Sequence, residues 1–262
     1  MQNQRNVLFV PHGAPTFALQ PGAAGAAMEQ VARAIPTPRA IVVISPHWET
    51  AAPTVGFATQ LETMYDFGGF DPRLYEIRYP ATGCPEAAKL VVGALQDHGF
   101  AVEQDAQRGL DHGAWMPLRQ MFPSADIPVI PLSVQTHLGP GHAYRVGQAL
   151  AALAQHGLVV IGSGNVTHNL HDYQTARMAG GQTPGYVQGF ADWLHQHMVD
   201  KDVATLLDYR QASPGGVCAH PSEDHLLPLF TALGAAGSNA QPEAFYRGIS
   251  DYVIAMDGYT FH

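Results

Sequence analysis

The feature that most limits how this chain can fold is a set of four short apolar runs with no polar residue inside them, at 7–10, 40–44, 127–132 and 158–161. A strand that buries one face alternates apolar and polar residues, whereas a strand buried on both faces reads as an unbroken apolar run. The runs therefore predict parallel strands inside a covered sheet. Segments with helical spacing lie around and between them, at roughly 22–35, 84–98, 140–156, 185–200 and 223–235. Strands alternating with helices define an α/β fold: a mostly parallel central sheet with helices on both faces. A length of 262 residues is near the upper limit for one core, and no linker or repeat divides the chain. One domain over 1–262 is expected. Residues 50–83 break the pattern. They are rich in Gly, Pro and aromatics, as functional loops often are. Residues 245–262 are expected to form an edge hairpin.

Charge and patterning exclude several classes of function. The net charge is −9, so the chain lacks the basic surface that nucleic acid requires. No apolar run approaches the ~18 residues of a membrane span. The N-terminus does not read as a signal peptide, and two cysteines, Cys84 and Cys218, do not make a disulfide framework. A cytoplasmic location is expected. The anomaly is histidine, with 14 residues against 13 lysines and arginines together.

The positions of those histidines carry the chemistry. His12 follows the first apolar run in Pro11-His12-Gly13-Ala14-Pro15, and His47 follows the second in Ser45-Pro46-His47-Trp48. His168 follows the last in Ser163-Gly164-Asn165-Val166-Thr167-His168. Ligands of open α/β sheets bind beyond the carboxyl ends of the strands, so these three can converge. His112, in Gly109-Leu110-Asp111-His112-Gly113, and His225, in His220-Pro221-Ser222-Glu223-Asp224-His225, sit in turn or helix-start contexts. Imidazole binds iron, zinc, copper and nickel and titrates near neutrality, so such a cluster can hold a metal and move a proton. The competing reading of each histidine alone is a turn or helix-terminal residue bonded to backbone. His220 stays open between pocket and core. The other histidines (98, 137, 142, 156, 171, 195, 197 and 262) read as surface or packing residues. There is no G-x-S-x-G elbow, H-E-x-x-H helix, P-loop or G-x-G-x-x-G turn.

Taken in order, these motifs together with Tyr65-Asp66-Phe67-Gly68-Gly69-Phe70 resemble the class III extradiol ring-cleavage dioxygenases, in particular their DODA-type (DOPA 4,5-dioxygenase-like) branch. The resemblance spans about residues 7–235. It implies a non-haem Fe(II) enzyme that cleaves a small catechol with O2, with Zn(II) able to occupy the site in purified protein. It implies metal ligation by His12, His47 and His225, with Glu223 the next candidate for the third place. It makes His168 the active-site base or a fourth ligand, and sets His112 beside oxygen and substrate. The wider class uses two histidines and a glutamate; here His225 stands at the third position. Ala14 stands where Ser is common in the first motif. Trp48, Tyr65, Phe67, Phe70 and Tyr79 are expected to wall the pocket, and Arg73 and Arg78 to meet a substrate carboxylate, with DOPA the leading substrate. A zinc hydrolase on the same histidines and a non-enzymatic metal- or peptide-binding relative are the competing functions. Cleavage position and oligomeric state are not fixed by these residues.

Overall fold

The computed structural model describes residues 7–262. The four apolar runs form the parallel centre of one sheet. They are β1 (Val7–Pro11), β2 (Ala40–Glu49), β5 (Val129–Val134) and β6 (Leu158–Gly164), with β3 (Thr54–Gly56) and β4 (Glu103–Asp105) as short additions beyond β5. The order across the sheet is β4-β3-β5-β2-β6-β1-β10-β7, where β7 is Pro242–Tyr246 and β10 is Gly258–Phe261. β2 is parallel to both β5 and β6, and β6 is parallel to β1.

The unbroken apolar runs have the expected cause. Phe9, Val42, Ile130 and Val160 point into one buried cluster, and Leu8, Val43, Val129 and Ile161 into the other. The first is covered by α2 (Pro85–Asp97), α4 (Gly139–Leu150), α6 (Gly185–Val199) and α10 (Leu227–Ala236). The second is covered by α1 (Gly22–Ala34) and α3 (His112–Met121). The molecule is thus an α/β domain with a mixed, mostly parallel sheet. The helical segment 140–156 divides in two, since a 3-10 turn over Ala151–His156 follows α4.

The C-terminal expectation needs correction. β10 and β7 do pair antiparallel, but β10 lies inside the sheet between β1 and β7, so only β7 is an edge. A separate two-residue ribbon, β8 (Ile249–Ser250) with β9 (Ile254–Ala255), rises between them. The remaining helices, α5 (Leu170–Met178), α7 (Val203–Leu207), α8 (Tyr209–Ala212) and α9 (Gly216–Ala219), carry the chain from β6 to α10. Among the described residues no helix is long and apolar enough to cross a membrane.

Candidate metal centre

Three adjacent strands, β2, β6 and β1, finish at one place, and the histidines gather there. His12 follows β1 directly. His47 lies at the end of β2, where the pairing with β5 shifts register between Ile44 and Glu49 and turns the chain out of the regular ladder. His225 comes from the loop before α10. Its carbonyl accepts the Asn165 backbone N–H at 3.1 Å, which pins that loop to the end of β6. A Cβ at Gly164 would stand 2.3 Å from that carbonyl, so only glycine allows the approach. Gly113 does the same for α3, because a Cβ there would lie 2.5 Å from Ser45 Oγ and 2.8 Å from His47 Cδ2. The start of α3 is further tied to β2 by Asp111. It caps the helix at Ala114 N–H, accepts from the Ser45 hydroxyl, and pairs with Arg108 at 2.7 Å.

The resulting geometry is close. Nε2 of His12 and Nε2 of His47 are 3.4 Å apart. The His225 ring lies 5.3 Å from that of His12 and 4.9 Å from that of His47, centre to centre. His112 stands 4.0 Å from His47 and 5.6 Å from His12. His168 stacks on His225 at 3.5 Å with the rings 6° from parallel. The donor atoms of His12, His47 and His112 all fall within 4.8 Å of one another.

Hydrogen bonds to the outer nitrogens decide which nitrogen of each ring is free. The Ser163 hydroxyl donates to the Gly113 carbonyl, so its oxygen accepts from His12 Nδ1–H at 3.0 Å. Asp224 accepts from His225 Nδ1–H, and Asp66 accepts from both the backbone N–H and Nδ1–H of His112, each at 2.9 Å. In all three rings Nε2 is then left with its lone pair. The Asn165 amide, oriented by accepting the Gly13 N–H, turns its Nδ2 toward His12 Nε2 at 3.4 Å, in keeping with a lone pair there.

These nitrogens fit a metal ion. His225 Nε2 is buried without a partner, a costly arrangement unless a cation meets it. His47 Nε2 stands 3.4 Å from the lone pair on His12 Nε2, a separation that two nitrogens sharing one cation also take. Imidazole nitrogens about 2.1 Å from one ion stand about 3.0 Å apart at a right angle and about 3.4 Å apart at the tetrahedral angle. The ionisation states agree. Burial, then repulsion among the imidazoles, holds His12 well below its usual pKa, and burial likewise pushes His225 well down. Burial also brings His47 and His168 down to about 4. Neutral imidazole is the form that binds metal. Burial alone would raise the two outer carboxylates, but the His112 contacts bring Asp66 to about 2, and the His225 contact holds Asp224 below the usual carboxylate range.

Beside the imidazoles lies a cavity of about 210 Å³. His47, His112, His168 and His225 line it, and its other side chains are apolar: Ala14, Pro15, Phe67, Phe70, Leu170 and Ile254. Of the aromatic residues expected there, Phe67 and Phe70 are present. Trp48, Tyr65 and Tyr79 are not, and each has a structural reason. Trp48 is buried beneath the Arg108 guanidinium at 5.0 Å. Tyr65 stands behind Phe67, its ring against that side chain and its hydroxyl donating to the Ile77 carbonyl. Tyr79 is fully buried and donates to the Phe122 carbonyl. Arg73 and Arg78 are exposed and outside the lining. Arg73 folds back on Asp71, the residue that caps its own 3-10 turn. His220 is a core residue, bonded through Nε2 to the Val166 carbonyl. Glu223 faces Arg210 at 3.8 Å. The residues that sequence reasoning missed are Ser163, Asp66 and Asp224. Only Asp224, adjacent to His225, carried a local signal.

Fold and site together agree with the family comparison. Residues 8–261 match the family model described as the catalytic LigB subunit of aromatic ring-opening dioxygenase. The chain belongs to this family of extradiol ring-cleavage dioxygenases. It is 38% identical over 263 residues to a 4,5-DOPA dioxygenase extradiol of Beta vulgaris, covering 99% of this chain and 97% of that one. It is 34% identical over 239 residues to the 4,5-DOPA dioxygenase extradiol of Escherichia coli (strain K12), covering 87% and 84%. The crystal structure of an uncharacterized protein from Escherichia coli K12 superposes with a TM-score of 0.80 at 28% identity, over 97% of this chain and 98% of that one.

Proposed function

We propose that this single catalytic domain is a non-haem Fe(II)-dependent extradiol dioxygenase that opens the ring of a small catechol with O2. The observation that carries the reading is the buried, unpartnered Nε2 of His225 facing the paired Nε2 atoms of His12 and His47. These three nitrogens form the ligand face. His112 is the other geometric candidate for the third place, since its donor atom lies close to those of His12 and His47. His225 is preferred because its free nitrogen is buried without a partner among the described residues.

Fe(II), when bound, supplies the redox link between catechol and oxygen that zinc, with no redox chemistry, does not. Zinc binds such imidazoles more tightly in the usual order, so a zinc-filled preparation is expected to be inactive. His168 is neutral and lines the cavity, which suits a general base for a catechol hydroxyl. His112 turns its free Nε2 to the reacting groups while Asp66 fixes its other nitrogen. His12, His112 and His225 are buried, which keeps most of the imidazole cluster away from bulk water. Two free cysteines, Cys84 and Cys218, accord with a reducing cytoplasm.

The test is oxygen uptake by anaerobically iron-loaded protein offered a catechol panel, with the visible absorbance of a semialdehyde product followed in parallel. Uptake matched to product is expected; no uptake with any catechol overturns the reading, and turnover by the zinc form without oxygen replaces it with a hydrolase. Metal analysis of single variants assigns the ligands. His225→Ala is expected to lose its metal. Full retention there, with loss in His112→Ala, moves the third place to His112. His168→Ala is expected to keep metal and lose ~10²–10⁴ in rate; loss of metal as complete as in His12→Ala makes His168 a ligand.

A further inference from the structure

The lining of the catalytic cavity also bears on what the catechol carries on its ring. Four imidazoles take part of the surface, and every other lining side chain is hydrocarbon. Among the described residues no lysine or arginine lines it. The two guanidinium groups closest in sequence and contact to site residues are already committed. Arg108 pairs with Asp111 and donates to the His47 carbonyl; Arg210 faces Glu223 and donates to the His220 carbonyl. The side chains that flank the site from behind are carboxylates, Asp66 on His112 and Asp224 on His225. A chain with net charge −9 adds no attraction for an anion.

One lining residue points to a positive preference. Leu170 is 57% exposed although it faces the cavity, so it stands at the rim. It follows His168 by two residues, and Phe70 and Ile254 share the lining with it. An apolar cavity of about 150 Å³ holds one benzene ring, so about 210 Å³ takes a single ring with a short substituent. Once the diol is turned to the imidazoles, the substituent meets hydrocarbon. A carboxylate there loses water without gaining a partner, which is costly; an alkyl group gains burial instead.

We infer that this site, on the ring-cleaving reading given above, takes a monocyclic catechol with a short uncharged apolar substituent in preference to one with a carboxylated side chain, and that Leu170 is a specificity-determining residue. DOPA, whose side chain carries a carboxylate and an ammonium group, is on this account a poor substrate.

The test compares 4-ethylcatechol with 3-(3,4-dihydroxyphenyl)propionate and DOPA on iron-loaded protein. Two quantities are read: kcat/KM in air and equilibrium binding without oxygen. Wild type is expected to favour 4-ethylcatechol over both carboxylated compounds by about tenfold or more in each. Leu170→Arg, at a largely exposed position that does not empty the core, is expected to move the ethyl-to-propionate ratio about tenfold toward the propionate. Equal or better use of DOPA or the propionate by wild type overturns the inference, as does an unchanged ratio in Leu170→Arg. The two readings fail separately. Cleavage with a preference for carboxylates ends this inference and keeps the dioxygenase. Preferential binding of 4-ethylcatechol without cleavage of any catechol keeps the selectivity and ends the dioxygenase.

Discussion

At the scale of single residues, the site works through partners that hold the outer nitrogens of its rings. Asp66 is the clearest case, because it accepts both the backbone N–H and Nδ1–H of His112. Asp66→Asn keeps the size but removes the charge, leaving a weaker acceptor. Outer partners of site histidines typically contribute 10–100-fold, so Asp66→Asn is expected to lower kcat by about that factor while iron content and melting temperature stay near wild type. Unchanged kcat would make Asp66 merely a helix cap. His12 and His47 were legible as strand-end residues, because each follows Pro just past an apolar run, whereas His112 and His225, in turn contexts, were singled out by the family resemblance. Their partners were not. Ser163 reaches His12 across 151 residues and Asp66 reaches His112 across 46, separations at which a lone Ser or Asp gives no pattern. Arg73 teaches the opposite lesson. Asp71-Pro72-Arg73 is a local cap and ion pair readable from sequence, and it already occupies the guanidinium proposed for a substrate carboxylate.

At the scale of elements, what the sequence revealed followed burial. Strands buried on both faces wrote themselves as unbroken apolar runs, and four of them appeared where expected. α3 left no such trace. The seven residues from His112 to Leu118 are all buried, and Pro117 stands inside the helix, where proline normally argues against one. β3 and β4, three residues each, are too short to show alternation. α10 starts at Leu227 rather than near 223, because the stretch before it folds as turns that present His225. Element contacts also set how precisely the histidines meet. Gly164→Ala would drive a methyl into the His225 carbonyl, which is backbone and cannot rotate away. Overpacking of this kind costs about 1–3 kcal/mol. The variant is expected to melt lower and to lose metal, because the displaced segment carries a proposed ligand. Calorimetry with metal analysis checks both, and full metal content at wild-type stability would show that the loop before α10 shifts freely.

At the scale of the whole molecule, the crowded histidines tie stability to pH. In the metal-free protein His47 and His168 are held down to about 4, mainly by burial, against about 6.5 in the unfolded chain. Both states are neutral above pH 6.5, so these groups cost nothing there. As pH falls from 6.5 toward 4, the unfolded chain takes up protons that the folded chain refuses, and stability declines. Each such histidine contributes a slope of about 1.4 kcal/mol per pH unit in that window. His12 and His225, also depressed, act in the same direction. Asp66 enters later and by the opposite chemistry. Its folded carboxyl is down at about 2 against 3.8 unfolded, so the stability it contributes above 3.8 is lost as pH drops toward 2. Chelator-treated protein is therefore expected to lose stability steeply between pH 6.5 and 4, measured as the urea midpoint at each pH. His168→Asn, with one histidine fewer refusing a proton, should flatten that slope by about one proton's worth. Added Fe(II) or Zn(II) at pH 7 should raise the midpoint, since an ion that binds only the folded state stabilises by mass action. A flat profile from pH 7 to 5 in the chelated protein would mean that these imidazoles titrate in the fold as they do in the unfolded chain, and would remove the electrostatic case for a preformed metal site.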